Sequence, residues 1–298
     1  MKEWGETVSA KLKIIITMIT FGTLGPFIKN IGLVSSEIAL YRAIIALMVL
    51  AVFILFNKKI SQVSTIKNNI WKLFFSGGAM GFNWILLFEA YNYTSVALAT
   101  LCYYFAPVVV VIMSTLFFRE KLTLKQIICF MGSTIGLILI IGVSSGGKSD
   151  MTGILFGLGA AILYATVIIL NKSMKGIDGI TRTIFQLAAA VMVIFPYVFG
   201  TEGFHILQLD NLGLINLLIV GIVHTGIVYV LYFSSLPELS GQEVSVLSYL
   251  DPLFAILISI LWMGESITQT QLLGGGMILL FTLTNEMKIY RKSILKAK

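Results

Sequence analysis

Charged residues are scarce in this chain of 298 residues. Asp, Glu, Lys and Arg make up 12% of it, against about 25% in a typical soluble domain. Hydrophobic residues make up 57%, the mean hydropathy is +0.95, and no long polar stretch interrupts them. A soluble fold would leave too much apolar surface in water, so this composition predicts a protein of the lipid bilayer.

Cysteine and histidine are also rare. The chain has two of each, and both cysteines, Cys102 and Cys129, lie inside apolar runs. Two cysteines and two histidines in these positions form neither a disulfide framework nor a metal-binding motif. The sequence also lacks the zinc-peptidase motif, the serine-hydrolase motif and the P-loop. We therefore expect no metal, no cofactor and no enzyme activity.

Long apolar runs take up most of the chain. A spanning helix needs roughly 20 apolar residues, and ten such runs are present, which we number spans 1 to 10: 12–32, 36–56, 70–91, 94–117, 124–142, 152–171, 180–200, 212–234, 242–262 and 268–287. A Ser- and Gly-rich link at 144–150 separates spans 5 and 6. These runs predict an all-α integral membrane protein of ten transmembrane helices, in two five-helix domains at 12–142 and 152–287.

The second half of the chain repeats the first. Residues 81–126 and 226–271 match at an offset of 145 positions. The matched pairs include Gly81 and Gly226, Tyr104 and Tyr249, Pro107 and Pro252, Glu120 and Glu265, and Gln126 and Gln271. Because each half holds an odd number of spans, the second half must be inverted relative to the first. Inverted repeats are typical of secondary transporters, whose site lies where the halves meet.

The basic residues support this topology. Most of them lie before span 1, after span 10 and in the links after spans 2, 4 and 6, which share one face of the membrane. An excess of Lys and Arg marks cytoplasmic loops, so we expect a multi-pass protein of the plasma membrane with both termini in the cytoplasm. The net charge of +7 is then a topological signal that also contacts lipid headgroups, and we expect no nucleic-acid partner.

Ionisable side chains inside spans are costly and are therefore candidates for function. Asp251 lies near mid-membrane, directly before Pro252. Pro107 and Pro252 each remove a backbone hydrogen bond, so we predict helix kinks there that line a central cavity. Asp251 could bind a cation or a proton in that cavity, or it could be a structural carboxyl group bonded to a hydroxyl. His224 could pass a proton or serve as a hydrogen-bonded packing residue.

Two further charged residues lie at similar depth near the predicted outer face. We expect Arg42 and Glu89 to form an ion pair; the alternative is that Arg42 faces a substrate carboxylate. Asp251, His224, Glu89 and Arg42 together are the candidates for coupling to a proton or an ion.

Aromatic residues gather around the same depth. The candidates for substrate binding are Trp84, Phe88, Tyr103, Tyr104, Tyr164, Tyr229 and Tyr249. They could stack on a planar substrate or hold a quaternary ammonium group, or they could simply pack and form interfacial belts. Gly81 and Gly226 would allow close helix packing, and two Thr-x-x-Gln segments, at 123–126 and 268–271, predict capping boxes that start spans 5 and 10.

Three stretches of the chain resemble the EamA family of the drug/metabolite transporter superfamily. They are residues 21–26, where Phe21 stands in place of the family's usual Trp, residues 41–43, and the repeated block at 107–120 and 252–265. The resemblance implies two inverted five-helix repeats around a cavity lined mainly by spans 1, 3, 4, 6, 8 and 9. It also implies rocking alternating access, with amino acids, other metabolites, nucleoside-like compounds or drugs as substrates.

The leading functional prediction is a secondary active transporter of a small polar metabolite, most simply an exporter of amino acids or similar compounds. An alternative is a transporter of a drug or an organic cation such as a choline-like amine, for which the aromatic residues and Asp251 or Glu89 would be suited. From another class, a lipid scramblase would show a lateral opening at mid-membrane. The expected partners are a small-molecule substrate, the lipid bilayer and a coupling proton or ion, with the oligomeric state left open.

Overall fold

The structure is a computed structural model. It describes residues 2–57, 63–118, 123–143, 148–201, 203–235, 238–239, 244 and 247–286. Within these ranges the chain is almost entirely helical and contains no strand.

The first half contains seven helices that form spans 1 to 5. They are α1 (Lys2–Gly22), α2 (Leu24–Lys29), α3 (Ser35–Asn57), α4 (Val63–Tyr93), α5 (Val96–Tyr103), α6 (Ala106–Phe118) and α7 (Leu124–Val143). Spans 1 and 4 are each divided into two helices, α1 with α2 and α5 with α6.

The second half forms spans 6 to 10. Its helices are α8 (Lys148–Ser173), α9 (Gly179–Thr201), α10 (Asn211–Gly221), α11 (Val228–Ser235), α12 (Leu250–Leu261) and α13 (Gln269–Glu286). A π-helical segment, Ile222–Ile227, joins α10 to α11 within span 8, and a short 3-10 turn, Ile206–Gln208, precedes α10.

Seven helical stretches among the described residues are long and apolar enough to cross a membrane. They are Ser9–Lys29, Ser35–Phe56, Ser64–Tyr93, Val96–Phe117, Met151–Ser173, Gly179–Thr201 and Asn211–Ser235. Two shorter apolar helices, Leu124–Leu139 and Leu250–Leu261, belong to spans 5 and 9. In span 10, three consecutive glycines at 274–276 dilute the apolar character of α13. The prediction of an all-α integral membrane protein is confirmed.

Helix packing follows the internal repeat. Helix α4 of span 3 packs on α9 of span 7, and its counterpart in span 8, the π segment, packs on α3 of span 2. In the same way α4 packs on α8 as α11 packs on α1, and α5 packs on α8 as α12 packs on α1. Spans 5 and 10 pack on each other through α7 and α13. Exchanging the two halves therefore maps the contacts onto one another, as expected of inverted repeats.

The repeated glycines lie at these contacts. A Cβ atom at Gly81 would lie 2.6 Å from Cδ1 of Ile194 on α9, and one at Gly226 would lie 2.8 Å from Cβ of Val49 on α3. A side chain at either position would force the helices apart. The predicted close packing is confirmed.

Both predicted capping boxes are present. The backbone N–H of Thr123 donates to Oε1 of Gln126 at 2.9 Å, and the backbone N–H of Gln126 donates to Oγ1 of Thr123 at 3.3 Å. The same two bonds link Thr268 and Gln271, at 3.0 and 3.2 Å. They satisfy amides that lack a partner at the start of a helix, so α7 and α13 begin sharply.

Helix interruptions occur next to both repeated prolines. Tyr104 and Phe105 form a turn between α5 and α6, and Tyr249 lies in a turn immediately before α12. Pro107 is the second residue of α6, and Pro252 is the third residue of α12. A first turn has no need of the amide that proline lacks. The interruption in span 4 is therefore larger than the predicted kink, because the helix ends and a new one begins.

Candidate functional site

A cavity of about 770 Å³ lies between the two halves. Spans 1, 3, 4, 6, 8 and 9 all contribute to its wall, as the resemblance implied. Span 2 adds Arg42, and span 7 adds Arg182, Thr183 and Gln186. The volume falls within the range of roughly 300–1,000 Å³ that is usual for small-molecule sites.

Most of the predicted site residues lie on this wall. Those that line the cavity are Arg42, Trp84, Tyr103, Tyr104, Pro107, Tyr164, Tyr229, Tyr249 and Asp251. Four others, Phe88, Glu89, His224 and Pro252, lie away from the wall. Most of the predicted residues, from both halves, therefore line one cavity, and the remaining four do not.

Arg42 is held rigidly at the cavity wall. The residue is only 3% exposed, and its Nε donates a 2.6 Å hydrogen bond to Oγ1 of Thr225. Thr225, in the π segment, in turn donates to the carbonyl of Val220, five residues earlier in α10, at 2.9 Å. The guanidinium carbon lies 4.4 Å from the ring centre of Trp84 and 5.5 Å from that of Phe88. Cation–π contacts and one hydrogen bond thus orient the group.

The predicted ion pair between Arg42 and Glu89 is wrong. Glu89 accepts hydrogen bonds from Ser35 Oγ at 2.7 Å and from Asn92 Nδ2 at 3.3 Å instead. Trp84 and Phe88 are four residues apart and lie on the face of α4 that meets Arg42, whereas Glu89 is rotated by about 100° from Phe88. Similar depth in the membrane therefore did not bring the two charges together.

Asp251 joins the two halves at their interruptions. The hydroxyl of Tyr104 donates to Oδ2 of Asp251 at 2.5 Å. Tyr104 lies in the turn of span 4, and Asp251 lies in the first turn of α12, where the helix dipole favours a negative charge. No residue that the structure describes donates to the other carboxyl oxygen, and Asp251 lines the cavity.

His224 is packed between helices away from the cavity. It is 2% exposed, its Nε2 lies 3.0 Å from Oγ1 of Thr23, and its ring centre lies 4.9 Å from that of Phe27. This arrangement is that of the hydrogen-bonded packing residue, the second of the two alternatives for His224.

Aromatic rings form two clusters on the cavity wall. Tyr103 contacts Tyr164 at 5.3 Å and Tyr104 at 5.9 Å between ring centres. On the other side Tyr229 contacts Phe21 at 6.0 Å and Phe233 at 5.9 Å. Phe21 and Phe233 both line the cavity but were not among the predicted site residues. Their place in the repeated or family-like stretches was the signal that could have found them.

One end of the cavity is sealed, and we call it the closed end. Its lining residues Leu24, Gly25, Tyr91 and Val96 are all buried. Val96 fills the space beside Gly25, where a Cβ atom would lie 2.5 Å from Val96 Cγ1. The start of α5 is thereby pressed against the junction of α1 and α2.

A carboxylate fastens the closed end. Glu265 forms an ion pair with Lys29, Nζ to Oε1 at 2.7 Å, and accepts the backbone N–H of Val96 at 2.8 Å. It also accepts a short hydrogen bond from Ser259. One side chain thus connects the ends of spans 1 and 9 with the start of span 4.

The other end, which we call the open end, is lined by the partly exposed residues Asn171, Arg182, Phe233 and Leu239. Behind them the buried amide of Gln186 donates to Ser76 Oγ and to Asn171 Oδ1, both at 2.7 Å. Sequence reasoning missed this polar end. Arg182 and Gln186 lie four residues apart on α9 and therefore share a face, which was the available signal.

Arg182 itself is only partly satisfied at this end. Its Nη2 donates to the Ile177 carbonyl at 3.1 Å, while its buried Nε has no hydrogen-bond partner among the described residues. The sequence had suggested only a topological role for this arginine. Its position on the cavity wall shows that its charge also faces the site.

Both halves of the chain match the same known family. The EamA-like transporter family model matches residues 9–142 and again residues 151–285. The chain belongs to this family. It is thus a multi-pass membrane transporter of the drug/metabolite transporter superfamily, and the family resemblance of the three stretches is confirmed.

Individual relatives agree with this membership. The chain is 32% identical over 280 residues to the Uncharacterized transporter YxxF of Bacillus subtilis, covering 91% of this chain and 87% of that one. It is 27% identical over 273 residues to an uncharacterized transporter of Archaeoglobus fulgidus, covering 89% and 92%. A solved crystal structure matches with a TM-score of 0.64 at 16% identity, over 95% of this chain and 98% of that one, and so shares its fold.

Proposed function

We propose that this EamA transporter is a secondary active transporter that exports a small polar metabolite, such as an amino acid, by alternating access. Residues 12–142 and 152–287 act as the two inverted halves. The observation that carries the proposal is a cavity between the halves that is sealed at one end, is open at the other, and has charged groups on its wall. An alternating-access carrier requires such a half-open site at the seam of its repeats.

The distribution of basic residues assigns the two ends to the two sides of the membrane. Lys172, Lys175 and Arg182 lie at the open end, whereas the closed end has Lys29 in an ion pair. By the positive-inside rule the open end faces the cytoplasm, so both termini are cytoplasmic in the plasma membrane. An exporter takes up its substrate from this side, and the structure then corresponds to its loading state.

Within the cavity we assign the aromatic residues to the body of the substrate and the charged residues to its ends. Trp84, Tyr103, Tyr104, Tyr164, Tyr229 and Tyr249 form the walls. Asp251 is the proposed site for a coupling proton or ion, because its carboxyl group lines the cavity and joins both halves through Tyr104. Phe88, Glu89 and His224 act through their neighbours, Phe88 by supporting Arg42.

A second candidate is a transporter of an organic cation such as a choline-like amine. The cluster of Tyr103, Tyr104 and Tyr164 near Asp251 favours it, since aromatic walls with one carboxylate bind quaternary ammonium groups well. Arg42 on the same wall argues against it, because a fixed positive charge repels such a substrate.

A screen of the purified protein distinguishes these candidates. Amino acids, nucleosides and quaternary amines are tested for an increase in thermal stability, and the hits for uptake into proteoliposomes. A ligand at a hundredfold excess over its dissociation constant stabilises the folded state by about 2.7 kcal/mol. We expect amino acids or similar metabolites to stabilise the protein and to be transported. Stabilisation by quaternary amines alone would favour the second candidate, and protein-dependent flux of lipid without any solute would contradict both.

A further inference from the structure

The charged residues on the cavity wall are unequal in number. Among the lining residues that the structure describes, two are arginines, Arg42 and Arg182, and one is acidic, Asp251. Asp251 accepts its hydrogen bond from Tyr104 and forms no ion pair with either arginine. The described wall therefore has an excess of positive charge that the protein does not neutralise by direct contact.

Arg42 is the more deeply buried of these two arginines. Its Nε is committed to Thr225, and one face of the guanidinium group is covered by Trp84. No described residue accepts a hydrogen bond from its two terminal nitrogens, although the side chain lines the cavity. Burying an arginine is costly unless an anion or a hydrogen-bond acceptor satisfies it. The terminal nitrogens are not sealed inside the protein, so an anionic group of a substrate in the cavity can accept from them.

The geometry of the guanidinium group limits what that partner can be. Two parallel N–H groups at the end of an arginine match the two oxygens of a carboxylate. The fixed Nε–Thr225 bond and the stacked Trp84 ring hold this pair of donors in one orientation. A rigid pair of donors favours a planar carboxylate and offers nothing to an amine.

We infer that the transported solute carries a carboxylate that binds the terminal nitrogens of Arg42, and that Arg42 discriminates amino acids and related carboxylates from the corresponding amines. The inference rests on the proposed function and goes further, because it makes the carboxylate the required group. An amino group can be bound at Asp251, but it is optional.

Two pairs of probes that differ only by a carboxylate test this inference. They are L-phenylalanine with phenethylamine and L-lysine with cadaverine, each radiolabelled and offered to proteoliposomes containing the full chain. Wild-type protein is expected to transport at least one amino acid about tenfold faster than its decarboxylated partner. A hydrogen bond between charged groups strengthens binding by roughly this factor.

Three variants locate the discrimination. In Arg42→Gln the preference is expected to fall to within about twofold, because the charge is lost while a donor remains. Arg42→Lys retains the charge without the paired donors and is expected to keep part of the preference. Lys175→Gln is the matched control, since it removes one positive charge from an exposed residue near the open end that does not line the cavity, and its preference is expected to stay within about twofold of wild type.

Several results would overturn the inference. Equal or faster transport of the amines by wild type would do so, as would a preference that survives in Arg42→Gln. If Arg42→Gln does not elute as a single folded species, the comparison rests on Arg42→Lys against Lys175→Gln, and an unchanged preference in Arg42→Lys overturns the paired-donor geometry. If wild type transports uridine but neither amino acid, the inference fails while the proposed function stands. If it transports choline alone, the inference fails and the second candidate function is favoured. If no solute is transported, both fail.

Discussion

The two ends of the cavity are lined by different kinds of side chain. At the closed end, small and apolar groups such as Gly25 and Val96 are pressed together, and one carboxylate, Glu265, fastens three spans. At the open end, the partly exposed Asn171 belongs to a polar lining that is backed by the buried amide of Gln186. The closed end is therefore sealed by close apolar packing together with the contacts of one carboxylate, Glu265. A seal of this kind can separate without leaving a network of buried polar groups unsatisfied.

The largest effect on the transport rate is expected from a bulky substitution that prevents the closed end from packing. Gly25→Val places methyl groups where Val96 already lies, and overpacking of this kind costs about 1–3 kcal/mol. A shift of that size changes the balance between open and closed states about 5- to 150-fold. We expect transport in proteoliposomes to fall by about 5- to 150-fold, because a carrier that cannot close cannot alternate.

Gly276→Val is the matched control for this change. Nothing lies within 4 Å of the Cβ position at Gly276, in the middle of α13. Its transport rate is expected to equal that of wild type. Normal transport by the Gly25 variant would show that the contact with Val96 does not form the seal.

The next effect concerns Asp251, which lies between the two ends. We expect Asp251→Asn to lose the stimulation of transport by an imposed pH gradient, because an amide does not take up a proton in place of the carboxylate. Exchange of unlabelled for labelled substrate, which needs no net proton movement, is expected to continue. Tyr104→Phe is the control, since it removes the hydrogen bond and keeps the carboxyl group. Unchanged stimulation in Asp251→Asn would rule out a proton role for this residue.

The smallest effect on the transport rate is expected from removing the ion pair between Glu265 and Lys29. Glu265→Gln removes the ion pair with Lys29 but keeps an oxygen that can accept the Val96 amide. The two side chains are 29% and 14% exposed, so the pair contributes about 1 kcal/mol at most. We expect a change of about fivefold or less in the transport rate. Because salt screens exposed charges, raising the ionic strength should reduce the difference from wild type.

Glu238→Gln serves as the control for this prediction. Glu238 is an exposed acid in the segment after α11, and its neutralisation should leave transport unchanged at any salt concentration. An equal response of the two variants would assign the effect to net charge.

Much of this architecture could be predicted from residues whose effect is local. Repeated glycines, prolines and Thr-x-x-Gln segments determine close packing, interruptions and helix starts within a few residues of themselves. Asp251 was found in the same way, because the adjoining proline marks the interruption in its span. Family membership then followed from motifs that cover both halves.

The contacts of Arg42 could not be predicted in this way. Its partner depended on the rotation of α4 about its axis, which placed Phe88 rather than Glu89 opposite the guanidinium group. The π segment that presents Thr225 also has no distinct sequence pattern. The polar open end was overlooked because the positive-inside rule already explained Arg182.

The most direct test of alternating access measures both ends in the same protein. Leu24→Cys places a thiol on the closed end and Ile168→Cys places one near the open end, while the native Cys102 and Cys129 are buried and give little background. Each variant is labelled with a small maleimide before and after a transported solute is added. Alternating access predicts that position 168 reacts and position 24 is protected at first, and that the solute raises labelling at 24 while lowering it at 168. Simultaneous labelling of both positions, or labelling that the solute does not change, would contradict it.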